Sequence, residues 1–314
     1  MSDIVITEFM KQDAIDELLA GFDVHYDKTL VDNPEKIPPL MADARALIVR
    51  NRTQVTKAIL DAAPKLECVG RLGVGLDNID LEACKARGVT VYPATGANEV
   101  TVAEYVMGAM LTLMRKGVYA ANADVLAGKW PRNELMGRDL AGKQLGLIGY
   151  GNNARKTAFR ALAFDMNVAA YDPNVPANDA AWTHRIGVVT KADLDPLIAT
   201  SDVISLHLPV TPQTKNLIDA RMIARMKKGA ILINPARGGI VDESALVEAL
   251  KSGHLGGAIL DVFVNEPLSA DTAAPFKDVP NLLLSPHVAG VTFESDDRTN
   301  RITAENVRRH LKPA

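Results

Sequence analysis

The feature that most constrains the fold is a glycine turn between a short apolar run and a helical pattern. Residues 145–148 (LGLI) have the apolar character of a buried parallel strand, and residues 149–154 (GYGNNA) make a tight turn. Helical spacing continues over Arg155–Phe164, and a second apolar run, Val168–Tyr171, ends in Asp172. Strand, glycine turn, helix, strand and acid in this order are typical of a unit that binds a dinucleotide.

The two glycines of this turn predict a binding site for a pyrophosphate. Gly149 and Gly151 let backbone amides approach the phosphates, and the following helix N-terminus supplies N–H donors and a positive dipole end. Asp172 lies 21 residues after Gly151, where its carboxylate can accept hydrogen bonds from a ribose diol. Because the same charge would repel a 2′-phosphate, the sequence favours NAD over NADP.

The third glycine position of the pattern is occupied by Ala154, so the motif has an alternative interpretation. An ordinary strand-to-helix turn of an α/β protein can contain the same glycines. Alanine is accepted at the third position because that residue governs packing of the helix on the strand rather than contact with phosphate. Strand, helix and Asp172 taken together favour the cofactor site.

The composition is that of a globular protein with room for two domains. Of its 314 residues, 47% are hydrophobic and 23% charged, and the formal net charge is −3. Without a basic excess, we expect neither nucleic acid nor a membrane surface as a partner. With no signal-peptide pattern and no membrane-length apolar run, we expect a cytoplasmic protein. Two cysteines and unpaired histidines predict neither a disulfide framework nor a metal site.

Short apolar runs alternate with helical patterns along the chain, which predicts parallel, doubly wound sheets. Asn98 has the properties of an N-cap for a long buried helix over residues 100–113, which leads toward the glycine turn. The predicted strands are 4–6, 46–49, 68–69, 89–91, 203–207, 230–234, 257–261 and 282–284, and the predicted helices include 13–19, 56–63, 81–87, 219–226, 243–250 and 292–311.

Polar side chains follow several predicted strands of the second half. His207, Arg237, Asp261 and His287 come at the carboxyl ends of these strands or just after them, where open parallel sheets bind ligands. The sequence therefore predicts an α/β protein with two doubly wound domains and a site in the cleft between them. One domain comprises residues 1–98 plus 287–314, and the other comprises residues 99–286.

Arg237, Glu266 and His287 have sequence contexts that point to chemistry. Arg237 follows a strand and precedes two glycines, where its guanidinium could hold a carboxylate in a bidentate fork; a solvated loop arginine is the alternative. A histidine can relay a proton near neutral pH, and a neighbouring carboxylate favours the imidazolium. Spacing alone does not establish a pair between Glu266 and His287, since a lone histidine after a proline is more often structural.

The chain resembles the D-2-hydroxyacid dehydrogenase family almost from end to end, in segments that occur in the family's order. The first segment is most similar to the D-3-phosphoglycerate dehydrogenase branch. The chain departs from the family pattern at two positions: Ala154 occupies the third glycine position, and Leu72 stands where many members have alanine. Neither residue is part of the acid–base pair. The segments are 69–80 (VGRLGVGLDNID), 98–108 (NEVTVAEYVMG), 146–155 (GLIGYGNNAR), 205–214 (SLHLPVTPQT), 232–243 (LINPARGGIVDE), 257–268 (GAILDVFVNEPL) and 285–290 (SPHVAG).

The resemblance implies a flavodoxin-like substrate domain, a Rossmann NAD-binding domain and hydride transfer between NAD(H) and a D-configured 2-hydroxy acid. Arg237 would bind the substrate carboxylate and polarise the keto oxygen. His287 would exchange a proton with that oxygen, and Glu266 would orient His287. Asp261 would receive the nicotinamide carboxamide. The other implied cofactor contacts are Gly149, Gly151, Asn152, Asn153, Asp172, His207, Leu208, Pro235, Ala236 and Gly290.

The resemblance also implies a substrate contact in the first domain and a homodimer. Gly73, Val74 and Gly75 would present backbone N–H groups to the substrate carboxylate. The homodimer would form through the cofactor domain, with residues 117–140 contributing. Hydroxypyruvate or glyoxylate reduction is an alternative activity. A non-catalytic NAD-sensing scaffold is the alternative of another class, because the family includes transcriptional co-repressors.

Three arginines of the first domain favour a substrate with a second anionic group. Arg50, Arg52 and Arg71 follow predicted strands and could project into the cleft, although surface positions are the alternative for Arg50 and Arg52. A lactate-like methyl group needs none of them, whereas a phosphate or sulfonate on C3 could be held by two. Both 3-phosphoglycerate and 3-sulfolactate fit, and the segments around Arg52 and Arg71 are also similar to those of (S)-sulfolactate dehydrogenases.

Overall fold

The computed structural model describes residues 2–115 and 117–312, which divide into two units. The first unit contains the chain up to Asn98 and the chain from Val291 onward, and the second is Glu99–Gly290. Each unit is built on a parallel sheet, so the predicted α/β class is confirmed. The predicted domain limits differ from this division at residues 287–290, which belong to the second unit.

The first unit has a five-stranded sheet in the order β2-β1-β3-β4-β5, and every neighbouring pair is parallel. The strand β2 was not predicted, because its residues are half-buried and have a histidine at the centre instead of an apolar run. The strands are β1 (Ile4–Ile6), β2 (Val24–Tyr26), β3 (Ala46–Val49), β4 (Cys68–Arg71) and β5 (Thr90–Pro93), and the helices between them are α1 (Gln12–Leu18), α2 (Ile37–Leu40), α3 (Lys57–Asp61) and α4 (Leu81–Ala86).

Both faces of this sheet are covered, as the continuous apolar runs of β1 and β3 require. Alternate residues of the strands enter two separate apolar clusters, with Leu47 in one and Ile48 in the other. The last helix of the chain, Phe293–Leu311, packs on one face. A side chain at Gly70 would lie 2.8 Å from Val307 of that helix, so glycine permits the close approach.

The buried side of this last helix is largely made of small polar residues. More residues of the helix are buried than its polar sequence suggests. Thr303 donates its hydroxyl to the carbonyl oxygen of Arg71 at 3.2 Å, and Asn300 accepts a hydrogen bond from the amide of Lys11 at 2.9 Å. Such bonds make burial of polar groups tolerable. The buried residues are Ser295, Thr299, Asn300, Thr303, Ala304, Val307 and Leu311.

The second unit has a seven-stranded sheet in the order β10-β7-β6-β11-β12-β13-β14, and a short antiparallel pair, β8-β9, stands apart. The strands are β6 (Gln144–Ile148), β7 (Asn167–Tyr171), β8 (Thr183–His184), β9 (Gly187–Val188), β10 (Thr190–Lys191), β11 (Val203–Leu206), β12 (Ile231–Asn234), β13 (Gly257–Leu260) and β14 (Leu282–Leu284). The helices are α5 (Glu99–Met114), α6 (Asn122–Leu126), α7 (Asn152–Ala163), α8 (Leu194–Thr200), α9 (Ala220–Arg225), α10 (Glu243–Lys251) and α11 (Ala270–Ala273), and the last helix of the chain is α12.

The strand order reverses around β6, because the chain passes first to β7 on one side and later to β11 on the other. Such a reversal opens a crevice at the carboxyl end of the central strand, where ligands bind in open parallel sheets. The glycine turn directly follows β6, so the topology places it at this crevice. No helix in the described part of the chain is long and apolar enough to cross a membrane.

The helix α5 spans Glu99–Met114, one residue longer at each end than the predicted 100–113, and the side-chain oxygen of Asn98 does not accept the predicted capping bond. The side-chain oxygen of Asn98 is buried and has no hydrogen-bond partner among the residues that the structure describes. Apolar residues of α5, including Val106 and Met110, pack in the cluster that also contains Ala154 and Ala158 of α7. Packing, rather than capping, therefore positions this helix against the helix of the glycine turn.

Candidate active site

The glycine turn has the geometry that a pyrophosphate needs. Gly149 has φ +86°, and a side chain there would lie 2.3 Å from the carbonyl oxygen of His207. Gly151 immediately precedes α7 without a side-chain cap, and apart from its chain neighbours no described residue lies within 4 Å of the position that its Cβ would occupy. The first amides of α7, at Asn152 and Asn153, thus have no capping side chain, which fits an anion at the helix N-terminus.

Asp172 lies at the carboxyl end of β7 with its carboxylate held by two backbone amides. One oxygen accepts a hydrogen bond from Tyr150 N and the other from Asn174 N, each at 2.8 Å. Each carboxylate oxygen can accept a further hydrogen bond, which fits a ribose diol. The bond to Tyr150 also joins this acid to the glycine turn.

Tyr150, between the two glycines of the turn, is fully buried. Its ring stacks on Trp182 with the ring centroids 4.5 Å apart, and its hydroxyl donates to the carbonyl oxygen of Ala181 at 3.0 Å. Burial raises the pKa of Tyr150 to about 12, so the phenol remains protonated near neutral pH. These contacts anchor the glycine turn to the segment that follows β7. Because the motif leaves this position variable, its spacing did not identify Tyr150.

The loops after β11 and β12 carry further predicted cofactor residues. Burial lowers the pKa of His207 to about 3, so its imidazole is neutral, and Nε2 lies 3.0 Å from Ser205 Oγ. Leu208, Pro235 and Ala236 are half-buried. The side chain of Asn234, which the motifs did not single out, shapes the second loop: it accepts from Ala236 N at 3.1 Å and donates to Arg237 O at 2.9 Å.

The loop that carries Arg237 packs against the loop that carries Glu266. A side chain at Gly238 would lie 1.8 Å from the carbonyl oxygen of Phe263, so only glycine permits this approach. One guanidinium nitrogen of Arg237, Nη1, donates to the carbonyl oxygen of Ala236 at 2.7 Å. The backbone of the glycine pair after Arg237 therefore lies directly against the segment that leads to Glu266.

Glu266 and His287 form a direct contact, with Oε2 of the carboxylate 2.7 Å from Nδ1 of the imidazole. The other carboxylate oxygen accepts a hydrogen bond from Phe263 N at 2.8 Å, so both oxygens have defined partners. Half of the His287 side chain remains exposed. With Nδ1 directed at Glu266, Nε2 is the ring nitrogen left to exchange a proton with a bound molecule.

A second carboxylate fixes the loop of Glu266. Glu243, at the start of α10, accepts a hydrogen bond from Val264 N at 2.8 Å. Burial raises the pKa of Glu243, and the negative charges of Asp242 and Glu266 act in the same direction, while the bond from Val264 opposes them. The segment Phe263–Glu266 is thus held by carboxylates at two points.

Asp261, at the end of β13, is only 1% exposed, and its carboxylate binds the loop that carries His287. Its carboxylate accepts hydrogen bonds from Ser285 Oγ at 2.6 Å and from the amides of Val288 and Ala289 at 2.8 Å. Contact of Asp261 with a nicotinamide carboxamide stays a prediction. Gly290, another predicted cofactor residue, is half-buried and ends the second unit.

The three arginines of the first unit have different surroundings. Arg50 forms an ion pair with Asp296 at 2.7 Å, and the exposed Arg52 forms one with Asp32. The Nη1 of Arg71 donates to the carbonyl oxygen of Leu72 at 2.8 Å.

Arg71 and the glycine-rich segment after it lie in contact. The Arg71 guanidinium occupies the space that a side chain at Gly73 would need, 1.6 Å from that Cβ position, and Gly73 has φ +143°. Next to it, Val74 is exposed and Gly75 half-buried. The structure therefore brings one of the arginines to the segment that is predicted to bind the substrate carboxylate. In residues 2–115 and 117–312, no group of histidine, cysteine or acidic side chains could hold a metal ion.

Comparison with known proteins agrees with this geometry. Residues 107–289 match the family described as "D-isomer specific 2-hydroxyacid dehydrogenase, NAD binding domain". The chain is also 49% identical over 312 residues to the (S)-sulfolactate dehydrogenase of Chromohalobacter salexigens, with 99% of both chains covered. The chain belongs to the D-isomer specific 2-hydroxyacid dehydrogenase family. The resemblance stated from the sequence motifs is thereby confirmed.

Other members of the family are similar over different shares of their length. The chain is 38% identical to the D-3-phosphoglycerate dehydrogenase of Methanocaldococcus jannaschii, with 99% of this chain but only 58% of that protein covered. The D-lactate dehydrogenase of Aquifex aeolicus, solved with NAD and lactic acid, is 30% identical, with a TM-score of 0.82 and 98% and 95% coverage of this chain and that one. NAD as the cofactor and dehydrogenase as the class of enzyme are confirmed.

Proposed function

We propose that Arg237, Glu266 and His287 perform the acid–base chemistry of this dehydrogenase on a D-configured 2-hydroxy acid and its 2-keto acid. The observation that carries the proposal is the 2.7 Å contact between Glu266 Oε2 and His287 Nδ1, beside the loop of Arg237. When bound, NADH supplies the hydride for the keto carbon, and NAD accepts it in the reverse direction.

In the reductive direction, the imidazolium of His287 donates a proton from Nε2 to the keto oxygen as the carbon gains the hydride. Glu266 keeps the ring oriented and balances its positive charge before the transfer. Arg237 binds the substrate carboxylate and stabilises negative charge on the adjacent oxygen. The overall reaction consumes one keto acid, one NADH and one proton, and it gives one hydroxy acid and one NAD.

We propose further that the second unit holds the cofactor through the turn after β6. The amides of Asn152 and Asn153 would bind the pyrophosphate, with Gly149 and Gly151 permitting the approach, and Asp172 would bind the adenosine ribose. His207, Leu208, Pro235, Ala236, Asp261 and Gly290 would complete the cofactor contacts.

For the substrate, we propose 3-sulfolactate and its keto form, 3-sulfopyruvate. Support comes from the sulfolactate dehydrogenase that is 49% identical over nearly the whole of both chains. The S descriptor of that relative agrees with a D-type enzyme. The sulfur-bearing C3 outranks the carboxylate in the naming rules, so the D-like arrangement is named S. The competing substrate is 3-phosphoglycerate. It is supported by the D-3-phosphoglycerate dehydrogenase that is 38% identical, of which this chain covers 58%.

The first unit is the proposed substrate domain, with two anion-binding elements. The amides of residues 73–75 and the adjacent guanidinium of Arg71 would bind the substrate carboxylate. Arg52 is the proposed partner of the sulfonate. Both side chains of its ion pair with Asp32 are exposed, and ion pairs between exposed side chains are weak. Arg50 is a poorer candidate because its pair with Asp296 is more buried.

The test is NADH oxidation with 3-sulfopyruvate, phosphohydroxypyruvate, hydroxypyruvate and glyoxylate. We expect kcat/KM for sulfopyruvate to exceed that for hydroxypyruvate about 10- to 100-fold, the value of one or two charge-assisted hydrogen bonds. A higher kcat/KM for phosphohydroxypyruvate would reject sulfopyruvate as the substrate. Turnover of none of the four would leave the non-catalytic scaffold as the better interpretation.

Arg52→Ala separates the sulfonate contact from a general effect. It should raise KM for sulfopyruvate about tenfold and leave KM for glyoxylate unchanged, because glyoxylate has no C3 group. Equal increases for both substrates would make Arg52 structural.

A homodimer is also proposed, with residues 117–140 in the interface. This segment exposes Leu126 by 87% and Trp130 by 80%, together with Tyr119 and Met136. Exposed apolar patches of this kind mark interaction surfaces. Light scattering should give the mass of a dimer for the native chain and of a monomer for the Leu126→Asp, Trp130→Asp variant. Ile186→Asp, in an exposed turn elsewhere, is the control and should stay dimeric; a monomeric native chain refutes the proposal.

A further inference from the structure

The backbone of His287 has an uncommon conformation that its surroundings must maintain. Its φ is +55°, in the left-handed region that side-chain-bearing residues rarely adopt. The His287 amide donates to the carbonyl oxygens of Asp261 at 2.8 Å and Ser285 at 3.1 Å. Because the imidazole extends from this strained position, whatever fixes the backbone here also fixes the direction of the proposed proton donor.

The buried carboxylate of Asp261 is one such support, and it depends on Ser285. The Ser285 hydroxyl donates to Oδ1 at 2.6 Å, while the amides of Val288 and Ala289 donate to the same carboxylate. The loop therefore wraps around the carboxylate on both sides of His287. Bonds from a neutral donor to a buried carboxylate are strong, because the alternative is an uncompensated charge.

Tyr105 extends this network into a helix far away in the sequence. Its phenolic oxygen lies 2.6 Å from Ser285 Oγ, and Tyr105 belongs to α5. Since the single Ser285 proton goes to Asp261, the phenol must be the donor in this contact. Burial is the main cause that raises the pKa of Tyr105 to about 12, so its proton is present near neutral pH.

We propose that Tyr105 is a positioning residue for proton transfer by His287 and acts through Ser285 and Asp261. The proposal rests on the acid–base role of His287 proposed above. Hydrogen bonds in a chain polarise one another, so the phenol strengthens the bond from Ser285 to the carboxylate. Through α5, which packs with the helix of the glycine turn, the network links the proton donor to the cofactor-binding element.

The first experiment compares Tyr105→Phe, Ser285→Ala and the double variant in sulfopyruvate reduction. Tyr105→Phe keeps the ring, so kcat should fall about 5- to 10-fold while the Kd of NADH changes less than about twofold. The double variant should be no slower than Ser285→Ala, because the phenol acts only through the serine. Ser285→Thr should restore most of kcat. Additive losses, or wild-type kcat in Tyr105→Phe, would overturn the proposal.

A matched control and a second readout make the test independent of turnover. Tyr92→Phe removes a comparable phenol contact, to His310 at 3.0 Å in the first unit, and should leave kcat unchanged. Hydrogen exchange should be faster at the amides of Val288 and Ala289 in Tyr105→Phe than in the native chain or in Tyr92→Phe. Unchanged exchange refutes the network. If the native enzyme reduces no keto acid, the proposed function fails, and exchange still decides the role of Tyr105.

Discussion

The contact between Gly238 and the loop of Glu266 gives the sharpest test of how the site is held. In Gly238→Ala, the added methyl would lie 1.8 Å from Phe263 O and 2.1 Å from Phe263 C. Both are backbone atoms, so no rotamer change can relieve the overlap. The peptide must retreat by about 1.2 Å before the closest distance that real Cβ atoms show is restored.

A retreat of that size transmitted to Glu266 lengthens its 2.7 Å contact with His287 to about 3.9 Å, beyond hydrogen-bond range. Misplacement of a catalytic group by about 1 Å costs on the order of 100-fold in rate. We therefore expect kcat/KM for the best keto acid to fall about 100-fold. The free energy of unfolding should fall by about 1–3 kcal/mol, as for other overpacked sites.

Steady-state NADH oxidation and urea unfolding measure these two effects. Gly108→Ala is the matched control, because that glycine lies in α5 and, apart from its chain neighbours and the backbone of its own helix, no atom of the described residues lies within 4 Å of its Cβ position. It should keep wild-type kinetics and gain about 0.5–1 kcal/mol from the better helix former. Wild-type kcat and KM in Gly238→Ala would refute the idea that this close approach positions Glu266.

Three further predictions concern single side chains. His287→Ala should abolish most turnover while NADH still binds, since the imidazole is the proposed proton donor; equal losses of turnover and NADH binding would contradict the acid role. Asp172→Ala should reduce the preference for NAD over NADP, and an unchanged ratio of the two kcat/KM values would contradict the ribose contact. His207 has its pKa lowered to about 3, so the folded state binds fewer protons than the unfolded chain below the ordinary value of 6.5. The urea midpoint should therefore fall as pH decreases from about 6.5 toward 3 and fall less in His207→Gln; parallel curves for the two proteins would contradict this account.

Elements with strong local signals could be predicted from the sequence. Runs such as Ala46–Val49 and Gly257–Leu260 are continuous and apolar because both faces of their sheets are covered. Residues 173–202 have no such signal, and the pair β8-β9 and the strand β10 were not predicted. Each has only two residues and depends on contacts such as the stacking of Tyr150 on Trp182, which no local pattern reveals.

The site divides in the same way. Motifs predicted Arg237, Glu266 and His287 as catalytic residues because the segments around them are long and specific. They did not identify the groups that hold those residues in place, because the partners are distant in sequence: Tyr105 and Ser285 are 180 residues apart. The sequence suggested that two of the three arginines could hold an anionic C3 group, and it could not show that Arg50 and Arg52 each have a carboxylate partner in the fold.

The hydrogen bonds that the Asp172 carboxylate accepts from two backbone amides have a consequence for attempts to change the cofactor. An engineer who replaces this acid to admit the 2′-phosphate of NADP also removes the acceptor for Tyr150 N and Asn174 N. The substitution then disorders the turn that the new cofactor must use. Asparagine or serine, which keeps one acceptor oxygen, is a better starting point than alanine or arginine. Evolution of NADP specificity would also remove the acceptor for these two amides, so a compensating change in the turn should accompany or precede the loss of Asp172.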